Sequence, residues 1–307
     1  MKQSNGNRSF LKVMGALLGI ITLSASTFGS GAIRSHRLHR TMMVDGERRG
    51  YLVYIPVGYD PQKAVPLVIS IHGYMGWPAN QEQVSGWDDV ADKNGFIVVY
   101  PKGTGMPLHW RASGTSDSYK DVDFISALID QMEKEYNIDP ARIYVNGHSN
   151  GGGMTFMLTC TLSERIAAAG GVAGAYLYPW SSCQTTRAVP FIAFHGDADP
   201  VVPYTGGPSR EFDLPFPDIS TWVDQYAAHA GCNTAAVASQ SADGVTRTQY
   251  EDCQQGADVE LYTIAGSGHG WMGHGADLPA FIVGPTKNTI DATEVMWQFF
   301  CDHTLKK

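Results

Sequence analysis

Two stretches, "VPLVISIHG" (65–73) and "GFIVVYPKG" (95–103), are continuous apolar runs that each end at a glycine. A strand with one wet face alternates apolar and polar residues, whereas an unbroken run reads as a strand covered on both faces. Both faces must then be covered by helices, and the sequence between the runs supplies them. Residues 80–94 read as one helix; 121–136 place Val122, Phe124, Ile125, Leu128, Ile129 and Met132 at helical spacing. "RIYVNGH" (142–148) is a strand, followed by a helix from about Gly151 to Leu162 and a short strand in "IAAAGGVAG". "VPFIAFHGD" and "VELYTIAGSG" are expected to be the last two strands, with 219–231 a helix between them and 288–303 a closing amphipathic helix. "GYLVYIPVGY" (50–59) is expected at a sheet edge, because Pro56 cannot donate to a central ladder. The alternation predicts an α/β fold, a mostly parallel doubly wound sheet flanked by helices. Without repeats or linkers, residues 33–307 are expected to form a single domain.

Against that frame "VNGHSNGGG" (145–153) stands out, a small hydroxyl among four glycines between a strand and a helix. "GHSNG" matches G-x-S-x-G, in which the serine sits on a tight strand-to-helix turn at the positive end of the helix. Ser149 is the candidate nucleophile; the alternative is a plain turn. A serine hydroxyl needs a base to take its proton, and the base needs an acid to orient it. In this setting they follow in the order serine, acid, histidine, each after a strand. "HGDADPVV" offers Asp197 and Asp199, and "GSGHGWMG" offers His269. Asp199 is favoured over Asp197 by its place farther into the loop, before the stiffening Pro200. His274 lies farther past its strand and is a poorer base; His148, beside the serine, is expected to point away from it. Donors for an oxyanion are expected from the backbone N–H groups of Asn150 and, in "IHGYMG", of Tyr74.

Taken together, "IHGYMG", "DVDFISALID", "RIYVNGHSNGGGM", "HGDADPVVPY" and "GSGHGWMG" resemble the polyhydroxybutyrate depolymerase and feruloyl esterase-like family of secreted α/β-hydrolases. The resemblance covers most of the chain after its first ~30 residues. It implies an α/β-hydrolase fold and an ester hydrolase with no cofactor and no metal. It implies a triad of Ser149, Asp199 and His269, its "HGxxD" pattern again selecting Asp199, with oxyanion donors at Tyr74 and Asn150. Two features depart from the pattern: Met272 stands where relatives often carry proline, and the cysteines many relatives have near "HWRASG" are missing. Aromatic side chains accompany these loops: Tyr74, Trp77, Trp110, Trp180 and Trp271. Trp110 and Trp271, lying in motif loops, are the expected substrate-binding pair; core packing is the alternative.

Residues 1–32 read as a signal peptide: Lys2, Arg8 and Lys12 without an acid, then the apolar "VMGALLGIITLSAS", then small residues. Cleavage after Ala32 is one choice among several, and the alternative is an uncleaved anchor. Export suits five cysteines without a CxxC pair. Local pairing gives Cys160–Cys183 and Cys232–Cys253 and leaves Cys301 odd; other pairings, or none, are compatible with the sequence. A formal charge of −8 argues against nucleic acid or an anionic membrane as partner. The leading expectation is a secreted or periplasmic serine esterase acting on a polyester or an acylated polysaccharide fragment. Its competitors are a serine peptidase of the prolyl oligopeptidase kind and a polymer-binding protein that has lost catalysis. The natural ester and the oligomeric state are not legible.

Overall fold

In the computed structural model, ten strands join in one sheet in the order β1-β2-β4-β3-β5-β6-β7-β10-β9-β8. The residues described are 36–306, except 186, 210–213, 234–235, 242 and 277–278, and all fall within one compact unit. The expected signal peptide, 1–32, lies outside them. In chain order the elements are β1 (His36–Val44), β2 (Glu47–Ile55), β3 (Val65–Ile71), α1 (Pro78–Ser85), α2 (Trp87–Asn94), β4 (Ile97–Pro101) and α3 (Tyr119–Glu135). Then follow β5 (Ile138–His148), α4 (Asn150–Thr161), β6 (Ala168–Val172), β7 (Phe191–Gly196) and α5 (Ile219–His229). The last are β8 (Val237–Gln240), β9 (Val245–Tyr250), β10 (Val259–Ile264), α6 (Ala280–Val283) and α7 (Ala292–Cys301).

The run β4-β3-β5-β6-β7-β10 is parallel throughout, and antiparallel strands flank it on both sides. Its residues divide by the pleat. Leu67, Ile69 and Ile71 of β3, Ile143 and Val145 of β5, and Phe191 and Ala193 of β7 join one core with Phe124, Phe156 and Trp222 of α3, α4 and α5. Val68, Tyr144, Ile192 and Phe194 face a second core with Trp87, Trp297 and Phe300 of α2 and α7. Unbroken apolar strands thus have a helical layer on each face, as their pattern requires.

Three expectations are corrected. The 50–59 run is not an edge: β2 lies between β1 and β4, and Pro56 falls just past its end, where no ladder bond is needed. β1 occupies the outer position instead. The helix expected over 80–94 is two, because Gly86 has φ +64° and closes α1 while opening α2. The two strands expected last, β7 and β10, are not successive: an antiparallel hairpin, β8–β9, follows α5 between them.

β3 and β4 build outward on one side, after which β5 is added on the other side of β3. The loops leaving β3 and β5 therefore part at a switch point, opening a crevice at the carboxyl end of the sheet. Ser149 follows β5 there.

Candidate active site

The turn after β5 is built by close approach. A Cβ on Gly151 would lie 2.5 Å from the His72 carbonyl oxygen, and one on Gly147 2.8 Å from the Gly152 nitrogen. Only glycine lets α4 begin so near β3. Between them Ser149 holds φ 54° and ψ −119°, outside the ordinary regions for a non-glycine residue. That backbone lifts its side chain clear of the sheet at the N-terminus of α4.

The loops after β7 and β10 bring two partners to it. His269 Nε2 is 2.8 Å from Ser149 Oγ, and its Nδ1 is 2.6 Å from Asp199 Oδ2. A carboxylate accepts only, so Nδ1 carries the proton and Nε2 presents its lone pair to the hydroxyl. Asp199 is held from the other side as well: Oδ1 accepts the N–H groups of Val201 and Val202 at 2.8 and 2.9 Å. His195 Nε2 lies 3.4 Å from Oδ2. Burial alone raises the Asp199 pKa, but the charges and hydrogen bonds of His269 and His195 outweigh it and hold the carboxyl well below the usual range. The three side chains are nearly buried, with Ser149 8%, His269 5% and Asp199 5% exposed.

Asp197 turns elsewhere. It is exposed, and its Oδ1 accepts the Gly266 N–H at 2.6 Å, tying the loop after β7 to that after β10. His274 pairs with Asp291 at the start of α7, 3.2 Å away. Of the acid and base candidates, the structure brings Asp199 and His269 to Ser149 and leaves Asp197 and His274 out.

The loop after β3 lies against the serine: a Cβ on Gly73 would sit 3.3 Å from Ser149 Cβ. His72 fixes this loop, its Nδ1–H donating to the Gly73 carbonyl (2.7 Å) while Nε2 accepts the Gly103 N–H (2.9 Å). Burial pushes its pKa down to about 4, so it stays neutral. Tyr74 follows Gly73 on this loop, and Asn150 follows Ser149 as the first residue of α4. The Asn150 side chain has a task of its own: Oδ1 accepts Trp110 N–H at 2.6 Å and Nδ2 donates to Trp110 O at 3.0 Å.

Of the two expected pocket tryptophans, Trp110 lines a cavity and Trp271 is corrected. Trp271 is fully buried in the second core, its Nε1 donating to Thr293 Oγ1 at 2.8 Å, so it backs the His269 loop and offers no surface to a ligand. Trp110 is 1% exposed, its ring stacked along Phe124 and its Nε1 bonded to the His72 carbonyl. With its backbone held by Asn150, it forms part of the wall of a cavity of about 410 Å³ lined also by Asn150, Ala112, Ala175, Leu177, Ser113 and Thr115. Trp180 packs with Phe156, whereas Trp77 is 52% exposed. Sequence reasoning missed the small residues of that cavity, which carry no motif. It also missed His195, although "HGDAD" places it one strand position before the turn.

Cys160–Cys183 and Cys232–Cys253 are bonded, and Cys301 is the free cysteine among the described residues. Among those residues no group of His, Cys, Asp or Glu is arranged to hold a metal ion, and no helix is long and apolar enough to cross a membrane.

Residues 108–211 match the family model described as phospholipase/carboxylesterase. The chain is 32% identical over 226 residues to the bifunctional acetylxylan esterase/xylanase XynS20E of Neocallimastix patriciarum, covering 73% of this chain and 31% of that protein. It is 31% identical over 229 residues to feruloyl esterase B of Piromyces equi, covering 72% of this chain and 42% of that one. The chain thus spans less than half the length of either. Among solved structures, an acetyl xylan esterase from Aspergillus awamori superposes with TM-score 0.64 at 17% identity, covering 87% of this chain and 99% of that one. The sheet order, the strand–Ser149–helix turn and these likenesses together show that the chain has the α/β-hydrolase fold.

Proposed function

We propose that this protein is a secreted serine hydrolase of carboxylic esters, with Ser149 as nucleophile, His269 as general base and acid, and Asp199 as the orienting acid. One observation carries the reading: the unbroken chain Ser149 Oγ–His269–Asp199 at 2.8 and 2.6 Å, on a strained turn at a helix N-terminus. Ser149 Oγ attacks the ester carbonyl as its proton passes to His269 Nε2, and Asp199 stabilises the imidazolium that results. The oxyanion is received by the backbone N–H groups of Asn150 and Tyr74. His269 then protonates the departing alcohol, and a water activated by the same imidazole releases the acid. No step requires a cofactor. Similarity to proteins named acetylxylan esterase and feruloyl esterase supports an ester rather than an amide substrate. The two disulfides and the leader-like residues 1–32 support export.

The cavity beside Asn150 supports an acyl group larger than acetyl. Its volume, about 410 Å³, falls in the range of small-molecule sites. Trp110, Ala112, Ala175 and Leu177 give it apolar wall; His109, Arg111, Ser113, Thr115 and Asp117 are polar or charged. An acyl group with an apolar body and a polar tip, such as a feruloyl group on plant polysaccharide, matches both. The test is a panel of methyl ferulate, methyl acetate, hydroxybutyrate oligomers and an anilide. We expect kcat/KM for methyl ferulate to exceed that for methyl acetate by roughly tenfold or more. Preference for acetate or for hydroxybutyrate would overturn the acyl assignment, and preference for the anilide would overturn the esterase reading.

A further inference from the structure

His148 precedes the proposed nucleophile, yet the reaction as written does not use it. It is 5% exposed, and its Nε2 lies 3.2 Å from the backbone carbonyl of His269. That carbonyl only accepts, so Nε2 carries the hydrogen and Nδ1 is bare. The Nδ1 edge faces the loop after β3, where a Cβ on Gly73 would lie 3.3 Å from it. The ring stands 5.0 Å from the His269 ring and 6.2 Å from that of Trp271. His269 is thus gripped at both ends of its backbone, its N–H by the Val283 carbonyl at 2.6 Å and its carbonyl by His148.

Resting on the hydrolase reading above, we infer that His148 is a positioning residue: its Nε2–H ties the loop that carries the base to the residue next to the nucleophile, and so sets the Ser149–His269 separation. The separation needs such a tie, because the base sits on a loop 120 residues away in sequence from the serine it serves. An imidazole can do this beside a catalytic histidine only if it stays neutral, since a second cation 5.0 Å away would oppose the imidazolium formed during acyl transfer. Burial, then the charge of His269, push the His148 pKa down to about 3, with Asp199 opposing and His195 adding to the shift. The tie therefore persists across the pH range in which His269 works.

The experiment compares His148→Leu, which keeps the bulk and loses the donor, with His148→Gln, whose amide nitrogen reaches about as far as imidazole Nε2. Active sites are counted with a fluorophosphonate, and kcat per labelled site is measured on p-nitrophenyl butyrate. We expect His148→Leu to lose roughly 10–100-fold in kcat with little change in KM, and His148→Gln to recover most of the loss. His148→Leu at wild-type kcat per site, or His148→Gln as impaired as His148→Leu, overturns the inference. If the leucine variant does not fold, the imidazole 15N spectrum of the wild-type protein at neutral pH decides. The Nε2–H tautomer at His148 is expected, and the Nδ1–H tautomer overturns it. A wild-type protein that neither reacts with the fluorophosphonate nor turns over the ester refutes the hydrolase reading instead, and the 15N spectrum still tests the tie.

Discussion

Replacing Asp199 by asparagine isolates what its charge and its acceptor capacity do, because the substitution changes neither size nor shape. In the structure Oδ1 already accepts two backbone N–H groups, from Val201 and Val202, so the amide oxygen of an asparagine must take that place. The amide NH2 then occupies the Oδ2 position, 2.6 Å from His269 Nδ1 and 3.4 Å from His195 Nε2. An NH2 donates and cannot accept. His269 must therefore turn its Nδ1 lone pair toward the amide and carry its proton on Nε2, facing Ser149, where a base is needed. Flipping the amide sets NH2 against two backbone N–H groups and is worse. In the favoured orientation the tautomer is wrong, and in either orientation the imidazolium has lost its counter-charge.

We expect Asp199→Asn to lower kcat by about 10⁴-fold, near 5 kcal/mol of barrier, while circular dichroism shows a native fold. Asp197→Asn keeps an oxygen for the Gly266 N–H and should stay within about tenfold of wild type. The two proteins are assayed side by side on p-nitrophenyl butyrate. An active Asp199→Asn beside a dead Asp197→Asn would refute the reasoning.

Gly151→Ala drives a Cβ into the carbonyls of Ile71 and His72, and should cost roughly 3 kcal/mol or more in urea unfolding; a loss below about 1 kcal/mol contradicts the packing of the turn. Asp88, pushed up to about 8 by burial and by Glu82 beside it, keeps its proton in the folded state where the unfolded chain has lost it. Its contribution is full below the ordinary carboxylate range and falls as pH rises to about 8, so the Tm of Asp88→Asn should gain on wild type between about pH 5 and pH 9; parallel profiles would contradict this. Joint replacement of Cys160 and Cys183 by alanine opens a link between residues 23 apart and should lower stability by about 3 kcal/mol, read by denaturant titration; unchanged stability would mean that the bond is not formed in solution.

The parallel centre of the sheet was legible because burial on both faces leaves an unbroken apolar run, as in β3, β4 and β7. Its margins were not. In β1, Leu38, Met42 and Val44 pack on the core while Arg40 and Met43 are exposed, so the two-residue period is weak and interrupted by an exposed methionine. β8 is exposed along its whole length, so no apolar pattern marks it, and only the Asp243–Gly244 turn signal announces the hairpin. The glycine cluster and the order serine, acid, histidine pointed to residues that the fold gathers, since each motif carries its own turn geometry. The aromatic pocket had no such constraint. Trp110 and Trp271 share their loops with the triad candidates, but loop membership does not fix which way a large ring turns. Both turned inward, where their area is worth most. His148 looked like a bystander because its bond is to a backbone carbonyl, which no side-chain pattern records.

The central claim is that Ser149 is a nucleophile activated by His269. The most direct test is intact and peptide mass spectrometry after treatment with a fluorophosphonate, run alongside ester turnover for the wild type and Ser149→Ala. The account predicts one adduct per chain, on the peptide that contains Ser149, none in Ser149→Ala, and a loss of about 10⁶-fold in kcat in that variant. An adduct on any other residue, or a Ser149→Ala protein hydrolysing esters within about tenfold of wild type, would contradict it.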